Sequence, residues 1–215
     1  MDFNKLDAGL SRCPVVPVLA IPDIRQAEPL AKALAAGGVT VSEITLRTEA
    51  GLPAIQVFKD SAPGMVVGAG TILDENDLTA ALDAGSDFIV SPGFDAGLLA
   101  ALSKCPVPPL PGVATAGEAI AARNAGISRV KLFPASLVGG APMIKAFGGP
   151  IPDLSFMPTG GVTMENMGDY LTLKNVYAVG GTWIAKPEHL DAEDWAGITD
   201  RARLACEAAA RLRAG

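Results

Sequence analysis

Histidine and cysteine are scarce in this chain of 215 residues, which contains one histidine and three cysteines. His189 stands alone, and Cys13, Cys105 and Cys206 lie far apart without a CxxC spacing. This pattern argues against a zinc site, and it excludes a Ser-His-Asp or Cys-His catalytic group unless His189 serves in it. Scattered cysteines of this kind predict reduced, buried thiols in a cytosolic protein.

Long apolar runs and an excess of positive charge are also missing. No run approaches the roughly 18 apolar residues of a membrane helix, and the N-terminal stretch MDFNKLDAGLSRC lacks the apolar centre of a signal peptide. The net charge is -6 and there is no basic stripe, which argues against nucleic-acid binding and against an anionic membrane surface. We therefore expect a cytoplasmic protein that holds any anionic ligand with a few local groups.

Aliphatic residues and sharp connections are abundant by contrast. Hydrophobic residues make up 49% of the chain but aromatic residues only 5%, so the core must be aliphatic, and 24 glycines and 17 prolines suggest many short turns. Eight apolar runs alternate with helical patterns at intervals of roughly 20–25 residues. The predicted strands lie at 15–20, 39–46, 65–69, 87–91, 107–112, 129–133, 154–158 and 175–179.

This alternation is typical of an α/β fold in which helices connect parallel strands. Parallel strands that are covered on both faces are continuously aliphatic, as these are. Eight units predict a single (β/α)8 TIM barrel, here with a short N-terminal helix within residues 1–13; an open doubly wound sheet is the alternative. No linker or change of composition divides the chain, which predicts one domain over 1–215.

The carboxyl end of the second predicted strand carries charged residues. A barrel of this kind has its active site at the carboxyl ends of the strands. In the segment EITLRT, the alternation of a strand places Glu43, Thr45 and Arg47 on one face. A carboxylate and a guanidinium on the inward face indicate a functional site; the alternative is a Glu43–Arg47 ion pair that braces the interior.

The sixth predicted strand contains a lysine within the apolar segment RVKLFP. Lys131 shares its face with Phe133, and burying an ammonium group costs several kcal/mol unless it is paired or neutralised. Burial favours the neutral amine, which is a nucleophile. Lys131 is therefore a candidate nucleophile, although a surface lysine on an edge strand remains the alternative.

Small residues follow several of the other strands. Paired glycines after the seventh and eighth strands lie where barrel enzymes bind phosphate through backbone N–H groups. These residues and the adjacent hydroxyl are Gly160, Gly161, Gly180, Gly181 and Thr182. The third strand ends in GAGT, with the hydroxyl of Thr71, and the fourth ends in SPG, with Pro92. Each of these segments taken alone also fits an ordinary turn.

The segments VVPVLAI, GGVTVSEITLRT, VVGAGTIL, IVSPGF, PGVATAGE, VKLFPA, PTGGVT and VGGTWIA occur in this order. Together they resemble the 2-keto-3-deoxy-6-phosphogluconate (KDPG) aldolase family, from about Pro14 to Pro187. The resemblance implies a class I aldolase on a (β/α)8 barrel that is usually a homotrimer and needs neither a metal nor another cofactor.

The resemblance also implies a role for each matching residue. Lys131 matches the lysine that forms the Schiff base, and Glu43 matches the general acid/base. Arg47 and Thr71 match the groups that receive the carboxylate of the pyruvyl portion. Pro92 and Phe133 match residues that line the substrate pocket. The phosphate site is matched by Gly160, Gly161 and Thr182. Ser136 and the segment VGGAPMIKAFGGPIP depart from the commoner family wording.

The activity implied by the resemblance is the reversible cleavage of KDPG to pyruvate and D-glyceraldehyde 3-phosphate, a carbon–carbon lyase reaction of the Entner-Doudoroff pathway. Related aldolases act on the galactonate epimer or on 4-hydroxy-2-oxoglutarate, so these substrates stay open. A sugar-phosphate isomerase or epimerase with Glu43 as base, and a non-catalytic phosphosugar-binding barrel, are further alternatives. The expected partners are a phosphorylated keto-acid substrate and the other copies of a homotrimer.

Overall fold

In the computed structural model, which describes residues 2–214, short strands alternate with helices along the chain. All strand pairs are parallel. The strands are β1 Val15–Leu19, β2 Val41–Thr45, β3 Val66–Gly70, β4 Phe88–Val90, β5 Pro109–Leu110, β6 Gly112–Val113, β7 Arg129–Leu132, β8 Ser155–Pro158 and β9 Val179–Gly181.

The helices connect and cover the strands. They are α1 Asn4–Leu10, α2 Ala27–Ala36, α3 Gly51–Ser61, α4 Glu75–Asp83, α5 Ala96–Leu102, α6 Ala116–Asn124, α7 Gly140–Phe147, α8 Met167–Leu171, α9 Pro187–Asp191 and α10 Trp195–Ala214, with a 3₁₀ turn at Ile24–Gln26. The Asp74 side chain caps α4, and Thr115 and Glu118 form a capping box on α6. Among residues 2–214, no helix is both long and apolar enough to cross a membrane.

The strands do not close into one barrel. A six-stranded sheet has the order β5, β4, β3, β2, β1 and β9, and a separate sheet contains β6, β7 and β8. The predicted single (β/α)8 TIM barrel, with eight strands in one closed sheet, is therefore wrong.

One break between the two sheets lies at Pro111. The sequence pattern predicted a single strand over 107–112, whereas β5 ends before Pro111 and β6 begins after it. β5 pairs with β4, and β6 pairs with β7. Because proline has no N–H group to donate, it interrupts the hydrogen bonds of a strand.

The other break lies between β8 and β9. The segments that contain β8 and β9 share no continuous strand pairing and are joined only by the isolated bridges Phe156–Val176 and Thr159–Gly180 among the described residues. β9 instead pairs with β1, in a register that joins Val15 to Val179. The eighth strand, predicted at 175–179, is thus displaced toward the glycine pair. The observed strand, β9, begins at Val179.

The inward faces of both sheets surround an apolar interior. Its buried side chains include Ala178, just before β9, and residues at alternate strand positions, namely Val16, Val41, Val66, Phe88, Val90, Leu110 and Met157. The intervening residues, such as Ile44, Val130 and Leu132, pack on the other side, in the core shared with the helices. This alternation directs Glu43 and Lys131 toward the interior, above the apolar layer.

The amino ends of the strands are closed by a cluster around Arg129. Its guanidinium forms an ion pair with Asp7 of α1 and lies 4.4 Å from the ring centroid of Phe3 and 5.1 Å from that of Tyr177. Burial raises the pKa of the Tyr177 phenol. The N-terminal helix is therefore fastened to the end of the molecule opposite the carboxyl ends of the strands.

A disulfide joins the two ends of the chain. Cys13 precedes β1 and bonds to Cys206 of α10, 193 residues further on, with Cα atoms 5.2 Å apart. The prediction of reduced thiols is wrong for this pair. Cys105 is free and buried, as predicted, and its burial raises the pKa of its thiol. The pairing could not be predicted from the spacing of the cysteines, because it depends on the packing of α10 beside β1.

Candidate active site

A lysine and a glutamate from opposite sheets meet in the interior. Glu43 of β2 is fully buried and Lys131 of β7 is 3% exposed. The Lys131 Nζ atom lies 3.1 Å from Glu43 Oε1 and 3.5 Å from Oε2, and it is 5.1 Å from the ring centroid of Phe133. Lys131 is therefore a buried, paired lysine, and the alternative of a surface lysine on an edge strand is excluded.

Glu43 fits into the interior because the neighbouring strand has glycines on its inward face. β3 pairs with β2 so that Glu43 lies beside Gly68, and Gly70 lies further toward the carboxyl end. The ring of Phe88 occupies the space above Gly68, and the carboxylate of Glu43 occupies that above Gly70. The small residues of the GAGT segment thus give room to the acidic side chain.

Arg47 and Thr71 form a second polar pair at the carboxyl ends of β2 and β3. Arg47 is exposed, and its Nε atom donates a hydrogen bond to Thr71 Oγ1 at 3.2 Å. The ion pair between Glu43 and Arg47, considered as an alternative, is absent from the described residues, since Lys131 is the partner of Glu43. The Arg47 guanidinium remains available to an anionic group.

The first glycine pair forms a tight loop after β8. Gly160 and Gly161 have φ angles of +92° and +77°, a region that favours glycine. The Gly160 carbonyl accepts from the Ser136 N–H at 3.0 Å, and the Gly161 carbonyl accepts from Asn166 Nδ2 at 2.9 Å. Because the carbonyls are occupied in this way, the loop is held in a fixed shape.

A cavity of about 150 Å³ connects the lysine to the glycine loops. Its walls contain most of the predicted site residues, together with Val18, Thr159 and Val162, which were not predicted from the sequence. The predicted residues on its walls are Arg47, Lys131, Phe133, Gly160, Gly161, Gly181 and Thr182. Val18 was detectable because it continues the inward alternation of Val16 along β1.

Four predicted residues lie around the cavity rather than on its wall. Glu43 lies behind Lys131, Thr71 behind Arg47, and Gly180 is packed against Thr159. Pro92 follows β4, and its carbonyl closely approaches Gly112 of β6. The structure therefore places Pro92 at the junction of the two sheets.

A larger cavity, about 630 Å³, lies at the amino ends of the strands. It is bordered by Arg12, Tyr177 and Arg213, and it does not include Lys131 or Glu43. The combination of a buried amine and a carboxylate occurs at the smaller cavity, so we assign the candidate site there. Within residues 2–214, no group of three or more His, Cys, Asp and Glu side chains is arranged to bind a metal ion.

The arrangement can support covalent chemistry on a small anionic carbonyl compound. A lysine amine is a nucleophile toward a carbonyl carbon, and an adjacent carboxylate can take and return protons. Arg47 supplies a fork of donors for a carboxylate. The glycine loops at the other side of the cavity can hold a second anion.

Comparison with known proteins agrees with this chemistry. The family model "KDPG and KHG aldolase" matches residues 6–201. The 2-dehydro-3-deoxy-phosphogluconate aldolase of Pseudoalteromonas atlantica is 44% identical over 202 residues, 94% of each chain. The KHG/KDPG aldolase of Escherichia coli K12 is 41% identical over 200 residues, 93% of this chain and 94% of the other.

A solved structure shows the same similarity in three dimensions. It is the KDPG aldolase of Legionella pneumophila with pyruvate captured as a covalent carbinolamine intermediate. Its TM-score is 0.87 at 38% sequence identity, with 92% of this chain and 96% of the other covered. The match of the family model over most of the chain, with relatives above 40% identity, establishes the assignment. The chain belongs to the KDPG and KHG aldolase family.

Proposed function

We propose that this chain is a class I aldolase that reversibly cleaves KDPG to pyruvate and D-glyceraldehyde 3-phosphate. The observation that carries the proposal is the contact of 3.1 Å between the buried Lys131 amine and the Glu43 carboxylate, beside a cavity with anion-binding groups at both sides. Family membership and the name shared by close relatives support it. The enzyme is a carbon–carbon lyase.

Lys131 begins the reaction as a nucleophile. Glu43 accepts a proton from the Lys131 ammonium, and the amine attacks the ketone carbon of the substrate to give a carbinolamine. Glu43 returns this proton to the carbinolamine hydroxyl, which leaves as water and gives an iminium ion between Lys131 and the substrate. The iminium nitrogen then withdraws electrons from the neighbouring carbon–carbon bond.

Glu43 carries the protons of the cleavage steps. Its carboxylate takes the proton from the substrate hydroxyl that becomes the aldehyde, directly or through a water molecule. The carbon–carbon bond breaks, its electron pair enters the iminium to form an enamine, and the aldehyde leaves. Glu43 returns the proton to the enamine carbon, and water hydrolyses the resulting iminium to release pyruvate from Lys131. A positioned acid/base of this kind accelerates a reaction by about 10²–10⁴-fold.

The two ends of the substrate are held by different groups. We assign Arg47 and Thr71 to the carboxylate of the pyruvyl portion, because a guanidinium can hold a carboxylate through two parallel hydrogen bonds. The phosphate lies against the backbone of the glycine loops, with the hydroxyl of Thr182 beside it. These loop residues are Gly160, Gly161, Gly180 and Gly181. Phe133 borders the space between the two ends, whereas Pro92 lies at the junction of the two sheets.

4-Hydroxy-2-oxoglutarate is the second candidate substrate, because a relative that covers 93% of this chain is named KHG/KDPG aldolase. It has the same keto-acid end, but its chain is shorter and ends in a carboxylate instead of the phosphate-bearing group. We expect it to be cleaved with lower kcat/KM, since it makes poorer use of the glycine loops. Steady-state kinetics with both substrates measures this preference.

We also propose that residues 1–215 act as one aldolase domain, that the enzyme works in the cytoplasm in the Entner-Doudoroff pathway, and that it assembles as a homotrimer. The match of the family model over residues 6–201 supports the single domain. The trimer rests on the family resemblance. Light scattering coupled to gel filtration tests it, because a trimer has three times the mass of the chain.

Trapping with pyruvate tests the proposed chemistry. The protein is incubated with pyruvate and borohydride, digested, and mapped by mass spectrometry. We expect a stable pyruvyl adduct on Lys131 and none on Lys145, an exposed lysine of α7 that serves as the internal control. The Lys131→Met variant should form no adduct. A wild-type protein that remains unmodified at Lys131 would contradict the aldolase proposal.

A further inference from the structure

The cavity of about 630 Å³ at the amino ends of the strands has no part in the proposed reaction. Its volume lies in the range of about 300–1,000 Å³ that is usual for sites of small molecules. Part of its wall is formed by the apolar or aromatic residues Leu10, Pro14, Val176, Tyr177 and Ala210. The wall also contains three cations, which are Arg12, Lys174 and Arg213. We call this space the amino-end cavity.

The three cations of the amino-end cavity lack a carboxylate partner. Among residues 2–214, ten of the 17 lysine and arginine side chains form ion pairs with carboxylates, and three of the remaining seven border this one cavity. The net charge of the whole chain is -6, so this local charge is opposite to the overall one. Positive charge that is collected in a concave wall attracts anions more strongly than the same charge on an open surface.

One carboxylate borders the cavity, but its charge is already offset. Asp7 forms an ion pair with Arg129, in which Nη2 lies 3.0 Å from Asp7 Oδ2. A carboxylate with a partner of its own does little to neutralise further cations. The amino-end cavity therefore keeps an excess of positive charge.

Helix ends offer the same cations another role, which accounts for only part of the charge. Arg12 follows α1, Lys174 follows α8, and Arg213 lies in the last turn of α10. The C-terminus of a helix carries a partial negative charge of at most about half a unit. Three such ends offset about half of the three positive charges. An anion is needed to balance the rest.

Arg213 is held at the wall by the backbone. Its Nη2 atom donates a hydrogen bond of 2.7 Å to the Val176 carbonyl. Partial burial lowers the pKa of this guanidinium, because the charged form has lost part of its hydration. A guanidinium has five N–H donors, so several remain for a ligand. Arg213 is thus a positioned cation that an anion would stabilise.

We propose that the amino-end cavity binds a phosphorylated organic anion of about the size of a nucleoside diphosphate. Its phosphate groups contact the three cations, and its organic part lies on the apolar wall. A phosphate ester carries a charge of about -1.5 to -2 at pH 7, so one or two phosphate groups balance three cations. The cavity does not include Lys131 or Glu43, so this second site is separate from the proposed aldolase reaction.

Protection of Lys174 from acetylation localises the binding. The protein is treated with the N-hydroxysuccinimide ester of acetic acid at increasing concentrations of ADP and constant ionic strength, and each lysine is followed by mass spectrometry. Lys104 is the internal control, because both lysines are exposed and neither has a carboxylate partner among the described residues. We expect ADP to protect Lys174 with a half-maximal effect below about 1 mM and to leave Lys104 reactive. Binding of ADP to the glycine loops would leave Lys174 unprotected.

Variants without one of the cations identify the contacts. Arg12→Gln and Arg213→Gln should each raise the ADP concentration for half-protection of Lys174 by about 10-fold, the value of a hydrogen bond to a charged group. Arg211→Gln is the matched control, because Arg211 is an exposed arginine of α10 that does not border the cavity. It changes the net charge equally and should alter the concentration by less than about twofold. Arg12→Gln leaves the bond between Arg213 and Val176 intact, and circular dichroism checks that each variant is folded.

Pyrophosphate tests the role of the apolar wall, because it has the phosphate groups without an organic part. We expect it to protect Lys174 only at concentrations about 10-fold higher than those of ADP. Equal potency of the two compounds would overturn the proposed contact with the organic part. Equal protection of Lys104 and Lys174, no protection of Lys174, or an unchanged half-protecting concentration in both Arg12→Gln and Arg213→Gln would overturn the site itself.

Discussion

The α-carbon of Gly70 lies directly beneath the carboxylate of Glu43. A β-carbon at residue 70 would stand 2.2 Å from Glu43 Oε1 and 2.7 Å from its Cγ, far inside van der Waals contact. Glu43 is fully buried beside its partner Lys131, so a shift of its carboxylate would change the contact between the two groups. The position of the proposed acid/base therefore depends on the absence of a side chain on the neighbouring strand.

Gly70→Ala should inactivate the enzyme without removing any reacting group. The added methyl group displaces Glu43 from Lys131, and we expect kcat to fall by about 10²-fold or more, the contribution of a positioned acid/base. A coupled assay of pyruvate release measures the loss. Gly117→Ala on the exposed side of α6 is the matched control, where the added β-carbon meets only Thr115 Oγ1 at 3.9 Å and activity should be retained. Full activity in Gly70→Ala would contradict the role of Glu43.

The Lys131–Glu43 pair should also show in the stability of the fold. Glu43→Gln leaves the Lys131 ammonium buried without a counter-charge, and we expect a cost of about 3–5 kcal/mol in the free energy of unfolding. Adding Lys131→Met to Glu43→Gln removes the unpaired charge and should recover part of this cost. Urea unfolding of both single variants and the double variant measures the coupling. Additive costs would argue against a direct charge interaction.

The inward direction of the site residues could be predicted from the sequence. Alternation along β2 places Glu43 on the same face as Val41, and the apolar neighbours of Lys131 indicate that it is buried, which the structure confirms. These are local properties of single strands with a period of two residues. They identify which side chains enter the interior without specifying which of them meet.

The contacts between distant segments could not be predicted in the same way. Lys131 and Glu43 are 88 residues apart, and their contact depends on how two separate sheets face each other. The closed barrel was predicted from the count of strands, but the hydrogen bonds end at Pro111 and between β8 and β9. A periodic pattern predicts that a strand exists, whereas the strand with which it pairs is determined by the packing of the whole chain.

Reduction of the Cys13–Cys206 disulfide should lower stability but leave catalysis unchanged. The bond closes a loop of 193 residues, and in the chain-entropy account it restricts the unfolded chain by an amount worth about 2–5 kcal/mol. It lies before β1 and on α10, away from the Lys131 cavity. We expect a lower melting temperature with dithiothreitol or in Cys206→Ser, with kcat and KM retained. Cys105→Ser is the control. Because Cys105 is a free cysteine, dithiothreitol should lower the melting temperature of this variant as much as that of the wild type.

Asp87 should contribute to the pH dependence of stability. Its desolvation by burial raises its pKa, but the hydrogen bonds from Lys5 Nζ at 2.6 Å and from the Val67 N–H at 3.0 Å, together with the charge of Lys59, outweigh this and lower it overall. A carboxyl whose folded pKa is depressed stabilises the fold above its unfolded pKa, and this stabilisation is lost as the pH falls through the folded pKa.

We therefore expect Asp87→Asn to lower the free energy of unfolding by about 1–3 kcal/mol at pH 7, the value of hydrogen bonds to a charged group. The difference from wild type should shrink as the pH falls from about 5 to about 2, because the wild-type carboxyl becomes protonated and loses the same interactions. Urea unfolding at a series of pH values measures this. Asp60→Asn is the control, since Asp60 is exposed and bonds only to Gln56 among the described residues. A difference at Asp87 that stays constant down to about pH 2 would show that its charge is not the source of the stabilisation.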